Sequence, residues 1–354
     1  MTEGTEPDAG PPEPAAPQPA PGPPLFASLQ TTPGSVLVTA FDLLTRASAD
    51  VRRGSFYIGL IALGTIGPFA VLLWGLAIAT EGRSLRRVLD VLSGTAGEQF
   101  FLAGWLAFGG LIVALVESRA VVTAMLGARL EGRAFDLADA VRRSRAVFWQ
   151  VLVCIAIVNI PVVIAQEFVD GRLVGVFHGE SEVTALTAAI IVAIIASPFA
   201  YVLSGIVLGN VGPIESARRS IRLFSARKLS AVVVSLFALA AQYLTLFGAS
   251  VALDLIARVF DSLSLGPGSG GAGIAGVTFV ILAVVFAIGS LLFTVAAIAA
   301  APQVVMFLAL THATPGLDAT APRPAKFRWL TLPMRGAIAL GIVVTVLGLV
   351  SLNQ

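Results

Sequence analysis

The sequence predicts an all-α polytopic membrane protein: a helical bundle of about seven transmembrane helices with amphipathic helices on the cytoplasmic side. Three observations predict it. Mean hydropathy is +0.90. Only 12% of residues are charged. Seven separate apolar stretches are each long enough to cross a bilayer, whose core of about 30 Å needs about 20 apolar residues as helix. Val183 to Ile214 and Leu229 to Leu253 contain no Asp, Glu, Lys, Arg or His. A soluble globular domain is excluded.

The first 34 residues form a separate zone. They hold ten of the 20 prolines and Glu3, Glu6, Asp8 and Glu13, without a base. Such a composition buries too little apolar surface to fold, so 1–34 is expected to be a disordered, Pro-rich cytoplasmic tail. It lacks the basic start and apolar core of a signal peptide.

The expected spans are 56–80, 100–126, 147–168, 184–210, 229–253, 277–309 and 335–352. The first six make a membrane domain over 35–312, followed by a basic cytoplasmic loop at 313–334 and an additional C-terminal transmembrane helix within 335–354. Span six is the ambiguous one, because Asp261 to His312 encloses 50 residues without a charge, enough for two crossings. Ser264 to Gly273 is rich in Gly and Ser and reads as a loop, which leaves one long helix containing Pro302.

Charge alternates between the connections. Of 23 basic residues, 17 fall beside one set of span ends, 5 beside the other, and Arg119 lies within span two. The positive-inside rule then places the N-terminus in the cytoplasm and, with seven spans, the C-terminus outside. Only Lys228 and Lys326 are lysines in a chain rich in Ala, Gly and Val. That usage fits a GC-rich bacterial genome, and hence a cytoplasmic (inner) membrane.

A 3.6-residue apolar stripe precedes spans one, three and five: Leu37, Phe41, Leu44, Ser48 and Val51; Leu137, Val141, Ser144 and Phe148; Ile214, Ala217, Ile221 and Phe224. This is the pattern of helices lying in the membrane interface. Arg142 and Arg143 are expected to point away from the second stripe, and Arg218, Arg219 and Arg222 from the third. Arg142-Arg143-Ser144 with Phe148 recurs as Arg218-Arg219-Ser220 with Phe224, 76 residues on. Phe41-Asp42-Leu43 recurs as Phe135-Asp136-Leu137. Together they predict a threefold repeat of amphipathic helix plus hairpin.

Arg142, Arg143, Arg145, Arg218, Arg219 and Arg222 are therefore candidates for binding lipid or phosphate. A base at headgroup depth is attracted to anionic lipid by about 1 kcal/mol. The same bases would also serve simply to set topology, and both readings stand at this point.

At Glu215-Ser216-Ala217-Arg218-Arg219-Ser220, followed by Leu223-Phe224 and a new apolar span, the chain resembles a bacterial family. This is the membrane domain associated with glycerophosphoryl diester phosphodiesterases, with its stand-alone multi-pass relatives. The resemblance covers about 33–312, with its specific motif confined to roughly ten residues. Two positions depart from the family pattern: Ile221 stands where an aromatic residue often follows the serine, and Leu310-Thr311-His312 stands where a Tyr/Asp/Arg-type ending is expected. The resemblance implies a noncatalytic membrane domain acting near phospholipids.

Chemistry has few candidates. The two histidines, His178 and His312, lie on opposite expected sides of the membrane, without metal-ligand neighbours at useful spacing. No Gly-rich phosphate loop with Lys is present. No catalytic residues, no cofactor and no nucleic-acid partner are expected; the expected partners are membrane lipids, anionic ones included. Cys154, the only cysteine, excludes an internal disulfide.

Ionisable and amide groups within spans are costly in lipid and mark candidate sites. These are Glu117, Arg119, Asn159 and Gln242. Glu117 and Arg119 are two residues apart, so they face about 160° away from each other and do not pair. Glu117 therefore needs a donor from another helix, or a proton. Asn159-Ile160-Pro161 and Ser197-Pro198 interrupt spans three and four. Such breaks line transporter sites in some membrane proteins, and prolines are also simply frequent in membrane helices. The expected function is a noncatalytic protein engaging phospholipid or an envelope partner. The alternative is a transporter of a small or amphipathic solute through a cavity near Glu117, Asn159 and Gln242.

Overall fold

In a computed structural model, the described residues are 31–80, 95–133, 136–177, 182–262 and 271–313, with Gly341. They form nine α-helices and one 3-10 turn: α1 (Pro33–Arg46), α2 (Ser48–Thr80), α3 (Thr95–Leu130), α4 (Leu137–Phe177), α5 (Glu182–Ala196), the 3-10 turn (Ser197–Phe199), α6 (Val202–Val207), α7 (Pro213–Ala226), α8 (Lys228–Ser262) and α9 (Gly271–Ala313). The described residues contain no strand. Five segments are long and apolar enough to cross a membrane: Ser48–Leu72, Phe100–Leu130, Val183–Val207, Lys228–Thr245 and Thr278–Ala313. They coincide with expected spans one, two, four, five and six. Expected span three lies within α4, which is not among the five. The tail at 1–30, the basic loop at 314–334 and, apart from Gly341, the seventh span lie outside the described residues.

The ambiguous stretch before His312 is one helix, α9, with Pro302 inside it. It packs chiefly on α2 and then on α3, and these three helices make the centre of the bundle. Small residues bring α9 close to α2. A Cβ on Gly289 would sit 3.1 Å from the Gly59 Cα and 2.7 Å from the Ala62 Cβ, and one on Gly54 would overlap the Phe293 ring. These approaches run antiparallel, so the end of α9 and the start of α2 share one end of the bundle. In membranes, where lipid is as apolar as the core, such close backbone packing supplies much of the association. Gly341 is buried, and a Cβ there would overlap the Gly64 carbonyl of α2.

Asp50 at the start of α2 pairs with Arg129 at the end of α3, 2.6 Å apart. The starts of α1, α2, α4, α7 and α8 therefore belong to the same, basic end. Away from that end, large apolar side chains face outward. Phe101, Leu102 and Trp105 of α3, Phe168 of α4 and Phe247 of α8 are all more than half exposed. An apolar surface this extensive is a lipid-facing surface.

The amphipathic helices pack differently from a simple reading of their stripes. Both α1 and α7 carry Pro at their first position, where its missing N–H costs nothing. Each is separated from the long helix that follows by one residue, Ala47 or Arg227. In α1 the residues buried against the bundle are Val36, Ala40 and Leu43, while Phe41 of the apolar stripe stays 54% exposed. In α7 they are Ser216, Ser220 and Leu223, while Ile214 and Ile221 of the stripe face outward. Each stripe is thus divided: Phe41, Ile214 and Ile221 face outward, while Leu44, Ala217 and Phe224 pack against the core. The third amphipathic segment is continuous with the helix that follows, both lying in α4.

Candidate functional site

Three constellations arise from the polar residues of the bundle. The first surrounds Glu117. Its side chain is fully buried on α3 and accepts a hydrogen bond from Tyr57 Oη of α2 at 2.7 Å. Arg145 of α4 donates to its other oxygen at 3.2 Å, and to Tyr57 Oη at 3.0 Å. The donor that the sequence demanded is thus supplied by two helices at once. Burial alone would lower the Arg145 value; the adjacent Tyr57 and Glu117 oxygens outweigh it and hold the guanidinium above its ordinary range. The closed triangle leaves no oxygen of Glu117 free for a solute, and it ties α2, α3 and α4 together.

The second constellation mends the broken fourth span. Proline at 198 cannot donate, and the chain passes from α5 through the 3-10 turn into α6. Ser197 Oγ bonds the Ile194 carbonyl, which the proline leaves without its N–H, and further backbone groups beside the break are met from α7. Ser220 Oγ donates to the Pro198 carbonyl at 2.7 Å and accepts from the Tyr201 N–H at 3.1 Å. Ser216 Oγ donates to the Val202 carbonyl at 2.6 Å. Four residues apart, the two serines lie on one face of α7. Gly205 permits the contact: a Cβ there would overlap Ser216 Oγ.

Arg143 completes this region and corrects the sequence expectation. It is buried rather than directed away from the stripe, and it donates to the Val207 carbonyl at 2.8 Å and the Ile206 carbonyl at 3.2 Å. It also reaches Asn210 Oδ1 at 3.3 Å; Asn210, just past the end of α6, takes a left-handed backbone (φ 51°). The α6 carbonyls have no next turn to bond, and a guanidinium is the side chain that satisfies several acceptors at once. Burial pushes its value below the ordinary range.

Of the six basic candidates, Arg143 and Arg145 are therefore engaged inside the protein. Arg142 pairs loosely with Asp139 and stays 74% exposed. Arg218, 69% exposed, and Arg219, 17% exposed, both approach Glu215. Arg222 is exposed. On α7, Ile214, Ile221, Arg218 and Arg222 lie side by side on the outward face, within about 100° of arc. An apolar groove of about 330 Å³ opens beside them, bounded by Pro213, Ile214 and Ala217 and by residues of α4, α5 and α6.

The third constellation is a cavity of about 410 Å³ between α3, α4, α5, α6, α8 and α9. Its walls are apolar except for Ser118 and Arg119 of α3, Gln166 of α4, Ser235 and Gln242 of α8 and Gln303 of α9. It shares Cys154, Val158, Val192 and Phe199 with the groove, so the two spaces adjoin. Arg119 and Gln242 thus face one space, while Glu117, on the opposite side of α3, lies elsewhere. Asn159 is helical within α4; its side chain lies outside the described residues.

Tyr57, Ser216, Ser220, Gln166 and Asn210 were not read as site residues in the sequence. Tyr57 carried a signal, since a phenol in an apolar run needs a hydrogen-bond partner. Among the described residues, no group of three or more His, Cys, Asp or Glu comes together. No protein-family model, no curated protein and no solved structure matches this chain.

Proposed function

We propose that this chain is a noncatalytic, multi-pass protein of the bacterial cytoplasmic membrane that engages anionic phospholipid through its basic interfacial helices. One observation carries the reading: on α7, outward isoleucines stand directly beside outward arginines, at the mouth of an apolar groove. A side-chain mixture of this kind fits headgroup depth, with hydrocarbon on one flank and phosphate on the other. Seven spans, a threefold repeat and a cytoplasmic N-terminus belong to the same reading. Matching burial at Ser144 and Ser220 supports the repeat. The position of Gly341, buried beside Gly64 of α2, is in keeping with a seventh span. The likeness to the phosphodiesterase-associated membrane domain rests on the α7 motif alone.

The test is lipid retention. Full-length protein with Arg142, Arg218 and Arg222 changed to Gln should, by native mass spectrometry, retain less phosphatidylglycerol from mixed membranes. Each base contributes about 1 kcal/mol, less at high salt. Unchanged retention in a normally folded variant would leave these arginines as topology determinants. The second reading, a transporter of a small or amphipathic solute, is favoured by the cavity that joins Arg119 to Gln242.

A further inference from the structure

Arg119 lies ten residues from Arg129 along α3, or about 15 Å at 1.5 Å per residue. That is half the thickness of a bilayer core of about 30 Å, measured inward from the pair Arg129 makes with Asp50. At such a depth, an arginine reaching the headgroups would need a longer side chain than it has. Among the described residues its side chain makes no hydrogen bond or ion pair, and it is half-buried in the wall of the cavity. No carboxylate shares that wall; the other polar groups are amides, hydroxyls and the Cys154 thiol. An uncompensated guanidinium in low dielectric is costly, and it attracts an anion strongly.

We propose that this cavity is a binding site for a single-chain amphiphile with one negative charge, of the fatty-carboxylate class. Arg119 pairs with the headgroup, in the bidentate geometry that guanidinium and carboxylate share. Gln242 and Gln303, lining the same cavity, offer amide donors to the same oxygens. The alkyl chain runs into the adjoining groove, whose lining residues are almost wholly apolar. One cation matches one charge. Volumes of about 330 and 410 Å³ fall in the usual range for a small-molecule ligand, about 300–1,000 Å³. The site uses none of the interfacial arginines, so it stands or falls apart from their role.

The chain carries its own reporter. Cys154, its only cysteine, lines both spaces, so an occupant there shields it. Full-length protein in phosphatidylcholine nanodiscs is treated with N-ethylmaleimide, and modification is followed by intact mass. Laurate should slow the reaction, with dodecanol of equal chain length and inorganic phosphate each protecting on the order of tenfold less, the scale of a charge-assisted hydrogen bond. Arg119→Gln should erase the advantage of laurate over dodecanol, and Arg119→Lys should keep most of it. Retention of laurate by native mass spectrometry compares the same proteins without relying on the thiol. Gln242→Leu with Gln303→Leu, which keeps the cation, should weaken laurate several-fold and leave dodecanol unchanged. Equal protection by laurate and dodecanol, or laurate retention unaltered in Arg119→Gln, would overturn the site. Equal protection by phosphate would overturn the chain-binding part.

Discussion

Arg145 of α4 and Glu117 of α3 form an ion pair 3.2 Å apart, with side chains 7% and 0% exposed and Tyr57 of α2 bonded to both. Two buried charges and a half-buried phenol thus satisfy one another. A buried pair of this kind is a poor source of net stability, yet breaking it from one side is severe.

Glu117→Leu should therefore lose about 3–5 kcal/mol, because Arg145 is left charged without its counter-charge, with only the Tyr57 hydroxyl as partner. Glu117→Leu combined with Arg145→Met removes both charges and should recover most of that loss. Reversible unfolding in mixed micelles measures both. A double variant no more stable than the single one would show that the stability of this region comes from elsewhere.

Ser220→Ala should cost more than Ser216→Ala. Ser220 serves two backbone groups, the Pro198 carbonyl and the Tyr201 N–H, whereas Ser216 serves the Val202 carbonyl alone. Each buried group left unpaired costs about 1–3 kcal/mol. Unfolding free energies of the two variants give the order directly. The reverse order would mean that α7 shifts to restore the Tyr201 bond.

Gly205→Ala should destabilise the bundle, since the new methyl would overlap Ser216 Oγ. Adding Ser216→Ala removes the overlapping atom. Its remaining Cβ would stand 3.2 Å from the new methyl, close enough to require only a small adjustment. The pair should therefore be less than additive, with a coupling of about 0.5–3 kcal/mol in a double-mutant cycle. Simple additivity would place the strain outside this contact.

Orientation is checked by labelling in a Cys154→Ser background. Cysteines at Arg133 and Arg258, at opposite ends of the bundle, should react from opposite sides of the membrane. Reaction of position 133 from the cytoplasmic face and 258 from the outer face is the expected result. The opposite pattern would invert the topology that the charge asymmetry predicts.

Much of this architecture is legible in the linear sequence, because the requirement for about 20 apolar residues is blunt. Five of the expected spans fall on helices long and apolar enough to cross a membrane. The single helix Gly271–Ala313 follows from one Gly/Ser-rich stretch read as a loop. The need of Glu117 for a donor and its separation from Arg119 follow from helical geometry alone. The identity of the donor does not. Arg145 sits in a run of arginines beside the interface, and nothing local separates the one that turns inward from the one that stays in water. Ser216 and Ser220 were illegible for a different reason. Their partners are backbone groups beside a helix break some 20 residues earlier, a pairing visible only once the chain has folded back. The faces of α1 and α7 were hard to assign because such helices answer to lipid and protein at once.

The ion pair with which α4 meets α3 also orders the birth of the molecule. Glu117 is synthesised 28 residues before Arg145, and its helix is apolar enough to enter the bilayer on its own. A carboxylate arriving there without its partner faces a penalty of a few kcal/mol. The second span therefore carries an unmet demand until the following helix brings its guanidinium, and the insertion of one helix is completed only by the docking of the next.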